Sequence, residues 1–384
     1  MNRSQFLKLS AVTALFPALG FPSSFLINPV FDNKKAISSF IGDGLNLSPT
    51  AYVKLLSELT AKATIEADNY SRGGTVEVLE KTFAGILGKE AAIFMPTGTL
   101  ANHLAISALA GENRRIIVQE ESHVYNDTGD ACQSLSNLNL IPLGAGKATF
   151  TLDEVNHAIK KAESGRVASK IGVISIESPV RRKSGEVFNL EEMKKISGFA
   201  HEKNIKMHLD GARIFLESAY TGISVKEYAA LFDTVYVSLY KYFNAASGAI
   251  LAGSKEFIGP MYHVRRKFGG GLSEAWPYAA VAGYYAAGFS ERYEKSVAIA
   301  EEFIKKIQNK DRFAIHRITS GTNIFKLEVK GIAIEEFVKN LKVNGVIARA
   351  DNSSCNCLLM QVNESLLTTN AAELENIFMN SLNN

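Results

Sequence analysis

Along most of this chain, short apolar runs rich in β-branched and aromatic residues alternate with longer segments whose apolar positions recur every three or four residues. Seven runs read as strands: "EAAIFM", "RRIIVQEE", "LNLIPL", "KIGVISIES", "IKMHLDG", "TVYVSLY" and "SGAILAG". Between them lie helical patterns such as "TLANHLAISALAG" and "NLEEMKKISGFAHEKN". The alternation predicts an α/β fold over residues 31–288: a mostly parallel seven-stranded sheet flanked by helices. After "FGGGLSEAWPYAAVAGYYAAGF" a helical region runs to Gln308. Then "NIFKLEV", "GIAIEEFVKNLKVNGVIARA", "NCLLMQV" and a tail helix from Ala371 predict a smaller C-terminal α+β domain over 289–384.

The first 30 residues break this pattern. "MNRSQFLKLSAVTALFPALGF" has a basic start, a 13-residue apolar run from Leu9 to Phe21, and small residues at Ala18 and Gly20. This is the layout of a cleavable signal peptide, and the run is shorter than the roughly 20 residues a membrane span needs. "RSQFLK" resembles the bacterial twin-arginine signal with Ser4 in place of the second Arg. The expected destination is therefore the bacterial periplasm, with no membrane segment in the mature chain. The competing reading is an amphipathic N-terminal helix on a cytoplasmic protein.

Composition narrows the picture. A chain of 384 residues with 46% hydrophobic and 21% charged residues can bury a sizeable core. Its charges are interspersed and sum to +3, with no basic block to track a phosphate backbone, so nucleic acid is excluded as a partner. Cys132, Cys355 and Cys357 admit one disulfide at most, lack further ligands for a metal, and read as small core residues. "LGAGKATF" lacks the earlier Gly of a phosphate loop and has Ala148 where Ser or Thr would bind magnesium.

In open α/β sheets ligands bind beyond the carboxyl ends of the strands. Four such ends carry chemistry. "FMPTGTLANH" leads through Thr97, Gly98 and Thr99 into a helix, and reads either as a phosphate cup or as an ordinary N-cap. "QEESHVYND" places His123 just after a strand. "HLDGAR" ends a strand on Asp210, whose burial requires a partner. That partner is either Arg213, as an ion pair, or a protonated ring nitrogen of a cofactor. "VYVSLYKYFNAASG" sets Lys241 beyond an apolar strand, where desolvation lowers the amine's pKa and makes it nucleophilic toward aldehydes. In this order, a phosphate cup, a ring-stacking His, an Asp for a pyridinium nitrogen and a Schiff-base Lys are the parts of a pyridoxal phosphate site.

From about Gly42 to Gly288 the sequence resembles the L-threonine aldolases of the β-eliminating lyase group, pyridoxal 5′-phosphate enzymes of fold type I. The match rests on "DNYSRGGTVEVLEKTFAGILGKEAAIFMPTGTLANHLA", "ESHVY", "GEVFNLEEMKKI", "HLDGARIF" and "FGGG". The resemblance implies that Lys241 carries the cofactor as a Schiff base and that Asp210 pairs with its ring nitrogen. It implies that His123 stacks on the ring and serves as a base, and that Thr97, Gly98 and Thr99 hold the phosphate. Arg213 would sit near the ring hydroxyl or the substrate carboxylate. The implied reaction is retro-aldol cleavage of a β-hydroxy amino acid to glycine and an aldehyde, by a homodimer or homotetramer in which Tyr70, Arg72 and residues 265–271 reach across.

The sequence departs from the family where substrate is read. Ser178, Pro179 and Val180 replace an Asn-Thr-His run, removing a second His. Tyr240 and Tyr242 flank Lys241 in place of Ser and Gly, predicting a bulkier, more aromatic pocket. Leu272, Ser273 and Glu274 replace Met-Arg-Gln, leaving Arg265, Arg266 or Lys267 to substitute for a phosphate-directed Arg. Of an N-terminal Ser-Asp-Thr only Asp43 remains, and Arg349 is the nearest replacement for a C-terminal carboxylate-binding Arg. These changes leave open two alternatives: another pyridoxal phosphate reaction, such as β-elimination or racemisation, and a binding homologue with impaired catalysis.

Overall fold

The computed structural model describes residues 38–351 and 355–382, so the expected signal peptide of residues 1–30 lies outside the described residues. All seven expected strands form one sheet: β2 (Ala91–Met95), β3 (Arg115–Gln119), β4 (Asn139–Leu143), β5 (Ile171–Glu177), β6 (Lys206–Asp210), β7 (Thr234–Ser238) and β8 (Ala249–Gly253). Their spatial order is β2-β8-β7-β6-β5-β3-β4. Only β8 runs antiparallel to its neighbours β2 and β7. Helices cover both faces, so the central strands are apolar without alternation; every residue of β5 is buried.

The first three described helices are α1 (Pro49–Lys62), α2 (Gly74–Leu87) and α3 (Gly98–Ala110). The α3 segment is apolar nearly all round because it lies against the sheet under the rest of the domain, burying Ala101, Asn102, His103, Leu104, Ala105 and Ile106. Behind the β7–β8 connection, Phe83, Phe215, Tyr242, Phe243 and Phe289 pack edge to face, with ring centroids 4.6 Å apart for Tyr242 and Phe243. This cluster gives the loop after β7 a rigid backing.

The C-terminal part builds its own core around an antiparallel sheet of β9 (Phe313–Arg317), β10 (Ile324–Val329), β12 (Arg349–Ala350) and β13 (Cys357–Gln361). The first described strand, β1 (Ser38–Ser39), pairs with β11 (Val346–Ile347) beside it, and Phe40 enters that core against Phe303 and Phe378. The segment after Phe40 then crosses toward the large sheet. Cys355 and Cys357, expected as small core residues, are instead joined by a disulfide. A turn in which the Cys357 N–H donates to the Cys355 carbonyl brings their Cα atoms within 5.2 Å, inside the disulfide range. Cys132 is buried and free. Among the described residues no helix is long and apolar enough to cross a membrane.

Glu217, in the helix after Arg213, is fully buried, and burial pushes its carboxyl up to about 7. A carboxyl whose folded pKa lies above its unfolded value stabilises the fold below the unfolded value and loses that stability as pH rises through the folded one. Glu217→Gln should therefore abolish a loss of about 3 kcal/mol between pH 4.5 and 7.5, read from denaturant midpoints. An identical pH slope in wild type and variant would show that Glu217 does not titrate there.

Candidate active site

The carboxyl ends of β2, β3, β5, β6 and β7 converge on a cavity of about 730 Å³. Its walls carry Asp43, Thr97, Gly98, Thr99, His123, Asp210, Arg213 and Lys241, whereas Arg349, Tyr242, Arg265, Arg266 and Lys267 lie outside it.

At one end lies the start of α3. The Thr97 hydroxyl caps the helix by accepting from the Leu100 N–H at 3.2 Å. The remaining first-turn N–H groups have no acceptor within the helix and suit an anion. Gly98 is required by close approach: a Cβ there would lie 2.0 Å from the Tyr236 hydroxyl oxygen, which closes the back of the cup. Ser247 stands beside it, its hydroxyl donating to the Pro96 carbonyl at 2.8 Å.

In the middle, Asp210 is 2% exposed and receives two neutral donors, Asn102 Nδ2 at 2.6 Å and the Ala212 N–H at 3.2 Å. The register of β5 on β6 sets Glu177 directly beside it. Burial first, and the Asp210 charge second, push the Glu177 carboxyl up to about 7. Glu177 accepts the His123 N–H at 2.5 Å on one oxygen and the Arg181 N–H at 2.9 Å on the other. It thus pins the backbone of His123, whose ring Nδ1 is buried without a partner among the described residues.

Opposite, Arg213 Nε donates to Asp43 Oδ2 at 2.8 Å, in a pair whose side chains are 14% and 6% exposed. Burial opposes the Arg213 charge, but Asp43 and Glu177 outweigh it and raise its pKa. The two terminal guanidinium nitrogens have no acceptor among the described residues and remain for an anion. Asp43 is held between the two cores: the Gly42 N–H donates to Gln361 Oε1 at 2.8 Å and the Leu45 N–H to Asn244 Oδ1 at 2.7 Å. Gly44 permits this path, since a Cβ there would lie 2.2 Å from the Lys241 carbonyl oxygen. Lys241 extends between the rings of Tyr236 and Tyr240, its Nζ 6.0 Å and 5.0 Å from their centroids. Burial, and then the Arg213 charge, lower its pKa to about 8.

Several expectations need correction. Arg349 is exposed on β12 and reaches Gln361 Oε1 at 3.5 Å; it touches the outer support of the Asp43 segment and does not line the cavity. Arg265 is no substitute phosphate ligand. It is fully buried, donating to the carbonyls of Phe94, Tyr70 and Ser71. Arg266 stacks on Tyr70 at 4.1 Å and bonds the Tyr262 hydroxyl. Tyr242 points into the aromatic cluster behind the loop, so, of the two tyrosines flanking Lys241, Tyr240 lines the cavity and Tyr242 does not. Sequence reasoning missed Glu177, Asp127, Arg181, Tyr236 and Ser247. The strand-end position of Glu177 in "SIES" was the one available signal.

Comparison with known proteins agrees with this geometry. A low-specificity L-threonine aldolase of Candida albicans is 32% identical over 57% of this chain and 59% of that protein. Its Escherichia coli namesake is 30% identical over 65% of this chain and 75% of that protein. The Candida match thus spans about three fifths of its relative's length. A solved structure of an L-allo-threonine aldolase candidate from Listeria monocytogenes superposes with TM-score 0.73 and 28% identity, covering 91% of this chain and 96% of that one. The fold is the expected fold type I.

The cavity fits pyridoxal 5′-phosphate, the cofactor these relationships imply. The α3 N-terminus, kept open by Gly98, suits its phosphate. The buried Asp210 carboxylate, met only by neutral donors, suits its ring nitrogen, and the Lys241 amine its aldehyde. With its sequence matching that family over residues 48–330, the chain belongs to the beta-eliminating lyases.

Proposed function

We propose that this protein is a carbon–carbon lyase that cleaves β-hydroxy amino acids to glycine and an aldehyde. The observation that carries the reading is a buried Lys241 with a depressed pKa, in one cavity with Asp210, His123 and the unpartnered end of Arg213. When bound, pyridoxal 5′-phosphate supplies an electron sink for breaking a bond to the amino-acid Cα. Asp210 keeps a proton on the ring nitrogen. The α3 N-terminus binds the phosphate, and Arg213, oriented by Asp43, binds the substrate carboxylate. His123, held by Glu177, takes the β-hydroxyl proton directly or through a water, and this choice of proton favours Cα–Cβ cleavage. With the cofactor bound, the Lys241 amine would return a proton to the substrate Cα.

The loss of the family's second His favours a second reading. Val180 is fully buried in its place, and Ser178 is engaged with Glu217 at 2.6 Å, so neither can assist at the hydroxyl. A base short of help there could leave β-elimination or racemisation competitive. Incubating the loaded protein with threonine, allo-threonine and phenylserine, and resolving the products by chromatography, decides. Glycine with the matching aldehyde is expected. A 2-oxo acid with ammonia, or exchange of enantiomers without cleavage, would replace the aldolase reading.

A further inference from the structure

We propose that Asn102, His208 and Thr234 form a one-directional hydrogen-bond relay that fixes the Asp210 carboxylate toward the ring nitrogen of pyridoxal 5′-phosphate. The inference rests on the proposed cofactor chemistry and concerns positioning residues, none of which lines the cavity.

The relay arises from strand geometry. His208 and Asp210 are two residues apart on β6 and so face the same side of the sheet. The register of β6 on β7 sets Thr234 beside His208. The buried face of α3 lays Asn102 across both. Asn102, His208 and Thr234 are sealed from water at 1%, 0% and 0% exposure, while Asp210, 2% exposed, stands at the cavity wall. The contacts run in series: Asn102 Nδ2 to Asp210 Oδ2 at 2.6 Å, Asn102 Oδ1 to His208 Nε2 at 2.9 Å, and His208 Nδ1 to Thr234 Oγ1 at 2.8 Å.

Chemistry permits one assignment of protons. An ionised carboxylate only accepts, so the amide nitrogen of Asn102 donates to it, and the amide oxygen must accept from His208. Nε2 of His208 therefore carries the hydrogen. Burial holds the imidazole pKa down to about 4, with Asp210 pulling weakly the other way, so the ring is neutral and Nδ1 is bare. The Thr234 hydroxyl then donates to Nδ1. Every hydrogen in the series points toward Asp210.

Such a series does what a cation could not. Paired with Lys or Arg, Asp210 would have its charge spent within the protein and would attract a ring proton less. Neutral donors held in a buried setting stabilise the charge, lock the carboxylate rotation and leave the remaining lone pairs for the cavity. Because each member orients the next, the effect of the outer members reaches Asp210 only through Asn102.

The test uses apoprotein of wild type, Asn102→Ala, Thr234→Val and the double variant. Three quantities are read: the dissociation constant for pyridoxal 5′-phosphate by equilibrium dialysis, the pH dependence of the bound cofactor's visible spectrum, and the thermal midpoint without cofactor. Asn102→Ala should weaken binding about tenfold, equivalent to about 1.4 kcal/mol, and displace the spectral titration. Thr234→Val, close in shape, should weaken it about threefold, and the double variant should be no worse than Asn102→Ala alone. Lowered midpoints with unchanged binding and spectra would reduce the series to fold support and overturn the proposal, as would additive losses in the double variant. If Asn102→Ala fails to fold, an unshifted Thr234→Val titration is sufficient to reject it. Wild-type apoprotein that takes up no pyridoxal 5′-phosphate would instead sink the cofactor reading itself.

Discussion

Replacing Lys241 with alanine should abolish the visible band of the protein reconstituted with pyridoxal 5′-phosphate and cut cleavage of β-hydroxy amino acids by about 10³-fold or more. The magnitude is that of losing a positioned proton-transfer group, to which loss of covalent cofactor attachment is added. The wild type carries a second signature. With a pKa near 8, about a tenth of the Lys241 amines are neutral at pH 7, against roughly 3 in 10,000 for a lysine at its ordinary value. Only the neutral amine attacks an aldehyde. The initial rate of cofactor attachment to apoprotein should therefore climb with pH and reach half its maximum near pH 8, not near 10.5. A band that survives Lys241→Ala, or an attachment rate still rising steeply at pH 9.5, would place the reactive amine elsewhere.

What makes this lysine reactive was partly legible in the sequence. "VYVSLYKYF" showed a cation in an apolar setting, and burial is indeed the leading cause of its lowered pKa. The second cause, Arg213, was legible only as a strand-end residue, because its distance to Lys241 depends on how the loops after β6 and β7 fold back. The same division holds across the molecule. Strands buried on both faces carry continuous apolar runs, so all seven strands of the large sheet and the polar groups at their ends were readable. Long-range pairing was not. Nothing in "PVFDNKKAISSFIGD" indicates that Phe40 joins the C-terminal core, a contact that sets where Asp43 enters the site. Glu177 looked like the end of one more strand until the register placed it beside Asp210 and under His123. Arg265 read as a candidate phosphate ligand, because no local pattern reveals three carbonyls converging on one guanidinium. Tyr242 differs from Tyr240 only in facing the other side of the same loop.

Arg213→Met should be the most destabilising of the cavity substitutions, by about 3–5 kcal/mol in denaturant unfolding of the apoprotein, because it strands the buried Asp43 charge. The loss has two separable parts. One is electrostatic: Asp43 Oδ1 has no partner among the described residues, and removing Arg213 leaves the other oxygen unmet there as well. The other is recognition, since the unpartnered guanidinium nitrogens are the cation proposed for the substrate carboxylate. Removing both charges distinguishes them. A well-packed apolar pair in place of a buried ion pair is often neutral in stability, so Asp43→Leu combined with Arg213→Met should recover most of the lost unfolding free energy. Substrate recognition should not recover: KM for threonine should stay raised by tenfold or more in the single and double variants alike, the loss of about one charge-assisted hydrogen bond. If the double variant regains a wild-type KM, Arg213 serves only to neutralise Asp43, and the carboxylate must be met by another cation of the cavity, of which Arg181 is the nearest in kind. If it regains neither stability nor KM, the Asp43 segment depends on the ion pair for its path between the two cores.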